Sequence, residues 1–186
     1  MKKIILVMAA ALVALSASAQ NLKFAHVNFN ELVMLMPEAD SARAQMNASQ
    51  QEAQDTYKSM TDEFQVKYQQ YQQKSSTWTP AIRESKEKEL QDIQTRIQDF
   101  DQSIQQELQQ QQQQLMAPIQ QRAVAAVEKL AKEGGYIYVF EKASMLYVDE
   151  TQSVDLTPAA RKALNIPDGR TLETLQQELQ AQAQKQ

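Results

Sequence analysis

From Glu38 to Glu133 the chain runs for almost a hundred residues without a glycine, in helix-forming, glutamine-rich sequence that is interrupted once near its middle. The interruption reads Ser75-Ser76-Thr77-Trp78-Thr79-Pro80. Proline is accepted in the first turn of a helix and threonine is a good N-cap just before it, so Thr79-Pro80 marks the end of one helix and the start of the next. The pattern predicts an antiparallel helical hairpin over 38–133 with its tip near 75–80. At about 1.5 Å per residue, the stretch to Ser76 spans roughly 60 Å and the stretch from Pro80 roughly 80 Å. Helices of that length do not fit inside a domain of this mass, and the hairpin is expected to project as an arm.

The two halves carry different repeats. Before the turn, Tyr57, Phe64, Tyr71 and Trp78 recur every seven residues, with Met46, Ala53 and Met60 as a second row, which together read as a coiled-coil seam. Lys67 and Lys74 hold the second row's next places, so the seam degrades outward. After the turn the repeat is eleven: Ile82, Ile93, Ile104, Leu115 and Ala126 form one row, and Ile97, Leu108, Ile119 and Leu130 another. Eleven residues over three turns keep a stripe nearly straight, so the helices should lie side by side with little wrapping. Gln105 to Gln114, nearly all glutamine, is expected to be the loosest part of the arm, and Pro118 removes one helical hydrogen bond just beyond it.

The ends of the chain are of another character. Lys2-Lys3, an apolar run from Ile4 to Leu15 and Ala17-Ser18-Ala19 give the three regions of a secretory signal peptide, with cleavage expected between Ala19 and Gln20. That reading makes residues 1–19 a cleavable signal and leaves 186 − 19 = 167 residues in an exported protein. Removing two lysines moves the formal charge from −4 to −6, which argues against a nucleic-acid binder. With no cysteine, one histidine and three glycines, little is available for nucleophilic catalysis, a thiolate metal site or a phosphate cradle. No catalytic, metal or cofactor-binding residue is assigned. His26 reads as a structural side chain, and Asp149, Glu150 and Asp155 as residues of turns and caps.

Residues 20–37 and 134–168 are expected to form a small body. Leu22 to Phe29 reads as a strand. Asn28 or Asn30 caps a short helix that Pro37 ends, and Gly134-Gly135 closes the second arm helix. Tyr136 to Phe140 and Met145 to Val148 read as two further strands joined as a hairpin through Glu141 to Ser144. Phe24, Val27, Ile137, Val139 and Leu146 are the candidate core. So small a core implies that pieces from several chains combine. Thr157-Pro158 repeats the cap-then-proline start and opens a helix that Asn165 to Gly169 terminate. In the tail, 169–186, Thr171 begins a last, partly formed helix. Near the tip, Lys67, Lys74, Arg83, Lys86 and Lys88 face only Glu84 and Glu87, a net of +3 that leaves −9 elsewhere in the exported chain. Such a cluster is either solvated surface or a contact for anionic head groups or acidic segments.

An export signal, the strand Lys-Phe-Ala-His-Val-Asn, the apolar turn ending in Met36-Pro37-Glu38, two long seamed helices, Gly135-Tyr136-Ile137-Tyr138-Val139-Phe140, Leu146-Tyr147-Val148 and Asp155-Leu156-Thr157 follow one another in an order that resembles the Skp/OmpH family of periplasmic chaperones. The resemblance covers nearly all of the exported chain up to Asp168. It implies a mainly α fold with a small β body completed by trimerisation, and three arms around a cavity. It also implies a holdase that needs no nucleotide. Such a protein keeps unfolded outer-membrane β-barrel proteins from aggregating and releases them toward the outer-membrane assembly machinery. In this chain the apolar side chains outside the seam, Val66, Tyr68, Met116, Val124 and Val127, are the candidate client contacts. The acidic balance departs from the basic character of well-known members. Two other readings compete: an envelope coiled-coil spacer or adaptor docking partner helices at its tips, and a carboxylate-dependent hydrolase.

Overall fold

The computed structural model describes residues 22–184. The signal-peptide reading of residues 1–19, with its Ala19–Gln20 cleavage site, lies outside the described residues. The elements in chain order are β1 (Lys23–Val27), α1 (Phe29–Leu35), α2 (Pro37–Lys74), a 3-10 turn (Ser75–Thr77), α3 (Pro80–Gly134), β2 (Tyr136–Glu141), a second 3-10 turn (Lys142–Ser144), β3 (Ser153–Asp155), α4 (Thr157–Ala163) and α5 (Leu172–Ala183). They form two compact units: Met36–Gln121, and the residues up to Leu35 together with those from Arg122. The second unit is called the body below and the first the arm.

In the body, three strands lie in the order β2-β1-β3, with both neighbours parallel to β1. Ala25 and Val27 are buried and so is His26 between them, as a central strand covered on both faces requires. This corrects the expected hairpin of 136–140 with 145–148. The third strand is Ser153–Asp155, in register with Phe24 to His26, and Met145 to Val148 is no strand. The reason is topological: two strands parallel to the same centre need the chain to return from the end of β2 to the start of β3. Residues 145–148 are spent on that return.

Local chemistry fixes the ends of the elements. Asn28 starts α1 with a reciprocal pair, Glu31 N to its Oδ1 at 3.1 Å and its Nδ2 to Glu31 Oε2 at 3.0 Å. Glu141, at the end of β2, accepts from Phe29 N at 2.7 Å and so ties that start to the sheet. Gly135 sits at φ +67°, the left-handed position that ends α3. Thr157 is not the cap of α4 that its sequence promised. Its Oγ1 accepts from Asn28 N at 2.9 Å, and Asp155 Oδ1 accepts from Thr157 N at 2.8 Å. Asn165, at φ 57°, ends α4, and Thr171 with Thr174 forms a capping box at α5.

The apolar face of α1 packs against α4 and α5. Leu32, Leu35, Leu164, Ile166 and Leu175 are buried, each worth roughly 1.5–3 kcal/mol on an extended-chain reference. Arg161 crosses this layer: Nη1 donates to Glu31 Oε1 at 2.7 Å, and Nη2 donates to the carbonyls of Pro167 at 3.0 Å and Arg170 at 2.5 Å.

In the arm, α2 and α3 are joined by Gln111 to Ser49 at 2.9 Å, Arg96 to Glu63 at 3.0 Å, Lys67 to Glu89 and Tyr71 to Glu87. Moving up one helix is matched by moving down the other, as in an antiparallel hairpin. From Met46 through the turn, most of the less exposed positions fall in three rows, Ser49, Met60 and Tyr71; Ala53, Phe64 and Ser75; and Thr56, Lys67 and Trp78, with Met46 and Thr61 half-buried beside them. Each row steps by eleven. The expected seven-residue row therefore fails at Tyr57, which is 44% exposed while Thr56 takes the inward place. Helices that stay in contact over many turns share one pitch. The eleven-residue stripe of α3 is straight, so α2 follows it. The α3 row also starts one place late, at Ile93 (2% exposed) rather than Ile82 (46%), because the register puts the 3-10 turn opposite Ile82. Thr79 Oγ1 accepts from Ile82 N at 3.4 Å at the start of α3, which then runs on through Pro118.

Candidate functional site

Two surfaces carry the chain's chemistry: the flanks and tip of the arm, and the open edge of the body sheet. At the tip, Glu89 accepts from both Lys67 and Lys86, the latter at 2.8 Å. Those two hydrogen bonds hold the Glu89 carboxyl down to about 2, and Glu89 in turn raises Lys67. Tyr71 donates to Glu87, which pushes its phenol up, and its ring meets Trp78 edge-on at 5.9 Å. Of the five candidate tip cations, Lys67 and Lys86 are thus paired with one carboxylate, a residue beyond the stretch counted from the sequence. Lys74, Arg83 and Lys88 make no ion pair among the described residues.

The five candidate client contacts separate. Val66 and Tyr68 are exposed on α2, and the Tyr68 ring is stacked on Phe64 at 5.9 Å with 8° between planes. Met116 is half-buried on α3. Val124 and Val127 fall in the body unit, the first exposed and the second buried, on the wall of an apolar groove of about 490 Å³ shared with Val27, Phe29 and Val139. Tyr57 was missed because the seven-residue pattern placed it inside. A second cleft, of about 520 Å³, lies between the arm helices where Ser49 and Ala53 face Gln111 and Gln114. It coincides with the glutamine-rich stretch.

Of the candidate body core, Val27 and Val139 come together on one face of the sheet, and Phe24 lies on the other. Val27 is buried and Phe24 stacks on Tyr138 at 6.5 Å. Ile137 and Leu146 lie outside it. Ile137 is exposed on β2, which pairs on one side only, along with Tyr138 and Phe140. Leu146 and Tyr147, at 107% and 81% exposure, stand free on the connection to β3.

His26 is fully buried, sharing a 2.9 Å hydrogen bond between Nδ1 and Ser153 Oγ. Its Nε2 lies 3.8 Å from Asp155 Oδ2, too far for a hydrogen bond. Burial pushes the Asp155 carboxyl up, but the Thr157 hydrogen bonds, with help from His26 and Lys142, bring it below its ordinary value. These are the residue types of a hydrolytic relay, arranged instead as a tie between β1 and β3. Asp149 caps its own turn through Thr151 N at 2.9 Å and Thr151 Oγ1 at 2.6 Å, which lowers its pKa. Among the described residues no three acidic or histidine side chains gather as a metal site, and no helix is long and apolar enough to cross a membrane.

A short parallel sheet with a hairpin of two long helices between its first two strands defines a mainly helical class of protein with a small β body. The chain belongs to the outer membrane protein (OmpH-like) family, whose family model matches residues 23–164. The match runs from β1 through α4 and leaves α5 outside. The chain is also similar to the chaperone protein Skp of Yersinia enterocolitica, 26% identical over 145 residues that cover 76% of this chain and 86% of that one.

Proposed function

We propose that this protein is a periplasmic holdase, acting without ATP, that binds unfolded outer-membrane β-barrel proteins between helical arms and keeps them from aggregating before insertion. The observation that carries the reading is an arm of two long helices with aromatic and aliphatic side chains left outside its seam, in a chain of the OmpH-like family. An unfolded barrel exposes alternating apolar strands that self-associate in water. Many weak contacts along an arm offset that tendency and leave the client mobile.

The working species in this reading is a homotrimer assembled through the body. The open edge of β2, the exposed Leu146-Tyr147 segment and the apolar groove beside Val124 support it, since the described residues of one chain leave all three uncovered. Phe24, Val27, Ile137, Val139 and Leu146 form its shared core. Lys74, Arg83 and Lys88 offer the tip a contact with anionic membrane surface, and release is toward the outer-membrane assembly machinery.

Diluting a urea-unfolded outer-membrane barrel into the purified exported chain tests the reading by light scattering. Suppression at a few trimers per client is expected. Unchanged aggregation would refute the holdase and favour the spacer, and sedimentation at the mass of one chain would refute the trimer.

A further inference from the structure

Sorted into rows eleven residues apart, the two sides of the arm seam differ in kind. One side carries Glu52, Asp55, Glu63, Asp92, Arg96, Asp99 and Glu107, with Val66 in the row of Asp55, and the 3.0 Å Arg96–Glu63 pair shows that the charged rows of the two helices lie together. Both interhelical clefts open here, one lined by Glu52 and Glu107, the other by Glu52, Glu63 and Arg96. On the opposite side the three rows next to the seam, from Met46 to Gln72 on α2 and from Leu90 to Gln120 on α3, hold Tyr57, Tyr68 and Met116, with glutamines in most other places. Asp101 is the one charged residue in those six rows.

We infer that the uncharged side, with Tyr57 and Tyr68 at its centre, is the docking face for extended client segments that carry no charge and alternate apolar, often aromatic, side chains with small polar ones. The inference rests on the holdase reading and specifies which side of the arm does the holding. Charge decides the side: an apolar segment laid on Glu52, Asp92, Asp99 and Glu107 takes their carboxylates out of water without a counter-charge, whereas the tyrosine side has almost no charge to desolvate. A carrier for charged segments would show the reverse preference. Tyr57 and Tyr68 remain 44% and 45% exposed. Phe64 stacks on Tyr68 and limits the freedom of that ring. Eleven helical residues place the two rings about 16 Å apart, the reach of about five residues of extended strand. Glutamine side chains offer donors and acceptors to the unpaired backbone of such a strand without imposing a register, and aromatic rings accept many side chains. The face therefore grips by type rather than by sequence, as a carrier of many barrels needs.

The test compares two double variants of the full exported chain, Tyr57→Lys with Tyr68→Lys and Glu52→Gln with Asp99→Gln, in binding a fluorescently labelled, urea-unfolded outer-membrane barrel. Circular dichroism at 222 nm checks that each stays helical. The tyrosine pair should bind about tenfold or more weakly, and the carboxylate pair within about twofold of the parent. Parent-like binding by the tyrosine pair, or an equal loss in the carboxylate pair, overturns the assignment of sides while leaving the holdase intact. A parent chain that binds no client refutes the holdase itself and the docking face with it. Should the lysine variants lose helix, photocrosslinkers at Thr61 and Gln65 against Asp55 and Asp99 give the same decision. Client adducts from 61 and 65 support the face, and adducts mainly from 55 and 99 overturn it.

Discussion

Ile82 and Ile93 are eleven residues apart and equivalent in the sequence repeat, yet one is 46% exposed and the other 2%. Replacing each with alanine deletes the same three carbon groups, worth about 0.8 kcal/mol each when fully buried. At Ile93 that amounts to about 2.5 kcal/mol, rising toward about 4 if the seam does not close over the gap. At Ile82 about half of the transfer value is available, about 1.2 kcal/mol, and alanine's better helix propensity returns about 0.4 kcal/mol at both positions and cancels from the comparison. The difference is then about 1.3 kcal/mol, rising toward about 2.8 with the cavity cost, or roughly tenfold to a hundredfold in the opening equilibrium of the arm. Native-state hydrogen exchange of the α2 amides between Thr56 and Lys67 reads it directly, because those turns face Ile93 across the seam. Equal acceleration of exchange by the two substitutions would refute the late start of the seam and the register drawn from the Arg96–Glu63 and Lys67–Glu89 pairs.

The tip should respond to acid. Glu89 has a folded-state pKa of about 2 against an ordinary 4.5, so its stabilisation is complete above about pH 4.5 and is lost as pH falls toward 2. Glu89→Gln should remove that pH dependence from the Tyr71 ring resonances. The effect is small because the Lys67 and Lys86 pairs are partly exposed, and it should shrink further in high salt. Arg161→Ala severs one ion pair and two carbonyl contacts on a side chain that is only 15% exposed, and should cost about 2 kcal/mol. The expected readout is faster proteolysis between Asn165 and Thr171, and an unchanged cleavage rate would show that α5 is held without Arg161, by Leu175 and the Arg170–Glu178 pair. Gly135→Ala meets no atom within 4 Å of the added Cβ, so its expected cost of about 1–2 kcal/mol comes from the +67° backbone alone. A melting temperature equal to the parent's would refute the left-handed cap.

What could be read in advance was local. The hairpin, its turn at Ser75 to Pro80, the Thr79 cap, the choice of Asn28 or Asn30 as a cap, the glycine stop after α3 and the tail helix from Thr171 all depend on residues within a few places of one another, and periodicity and capping chemistry act at that range. The burial of His26 between Ser153 and Asp155 was not legible, because those residues lie more than a hundred places away in the chain. The seam of α2 was read with the wrong period because Tyr57 is aromatic. A tyrosine tolerates a wet edge, so its residue type does not reveal which way it faces.

The sequence alone determined that two long helices double back on each other near Trp78 and that strand-forming ends flank them, since helix period, proline and glycine act through the backbone next to them. Only the tertiary structure decided that β1 is the centre of a parallel sheet, that Ser153–Asp155 rather than Met145 to Val148 is the third strand, that both arm helices share an eleven-residue pitch, and that Glu89 draws in two of the five tip cations. Each of these joins residues far apart in the chain. Which partner wins at such range is settled by the geometry of the whole assembly of elements, which nearest neighbours in sequence do not encode.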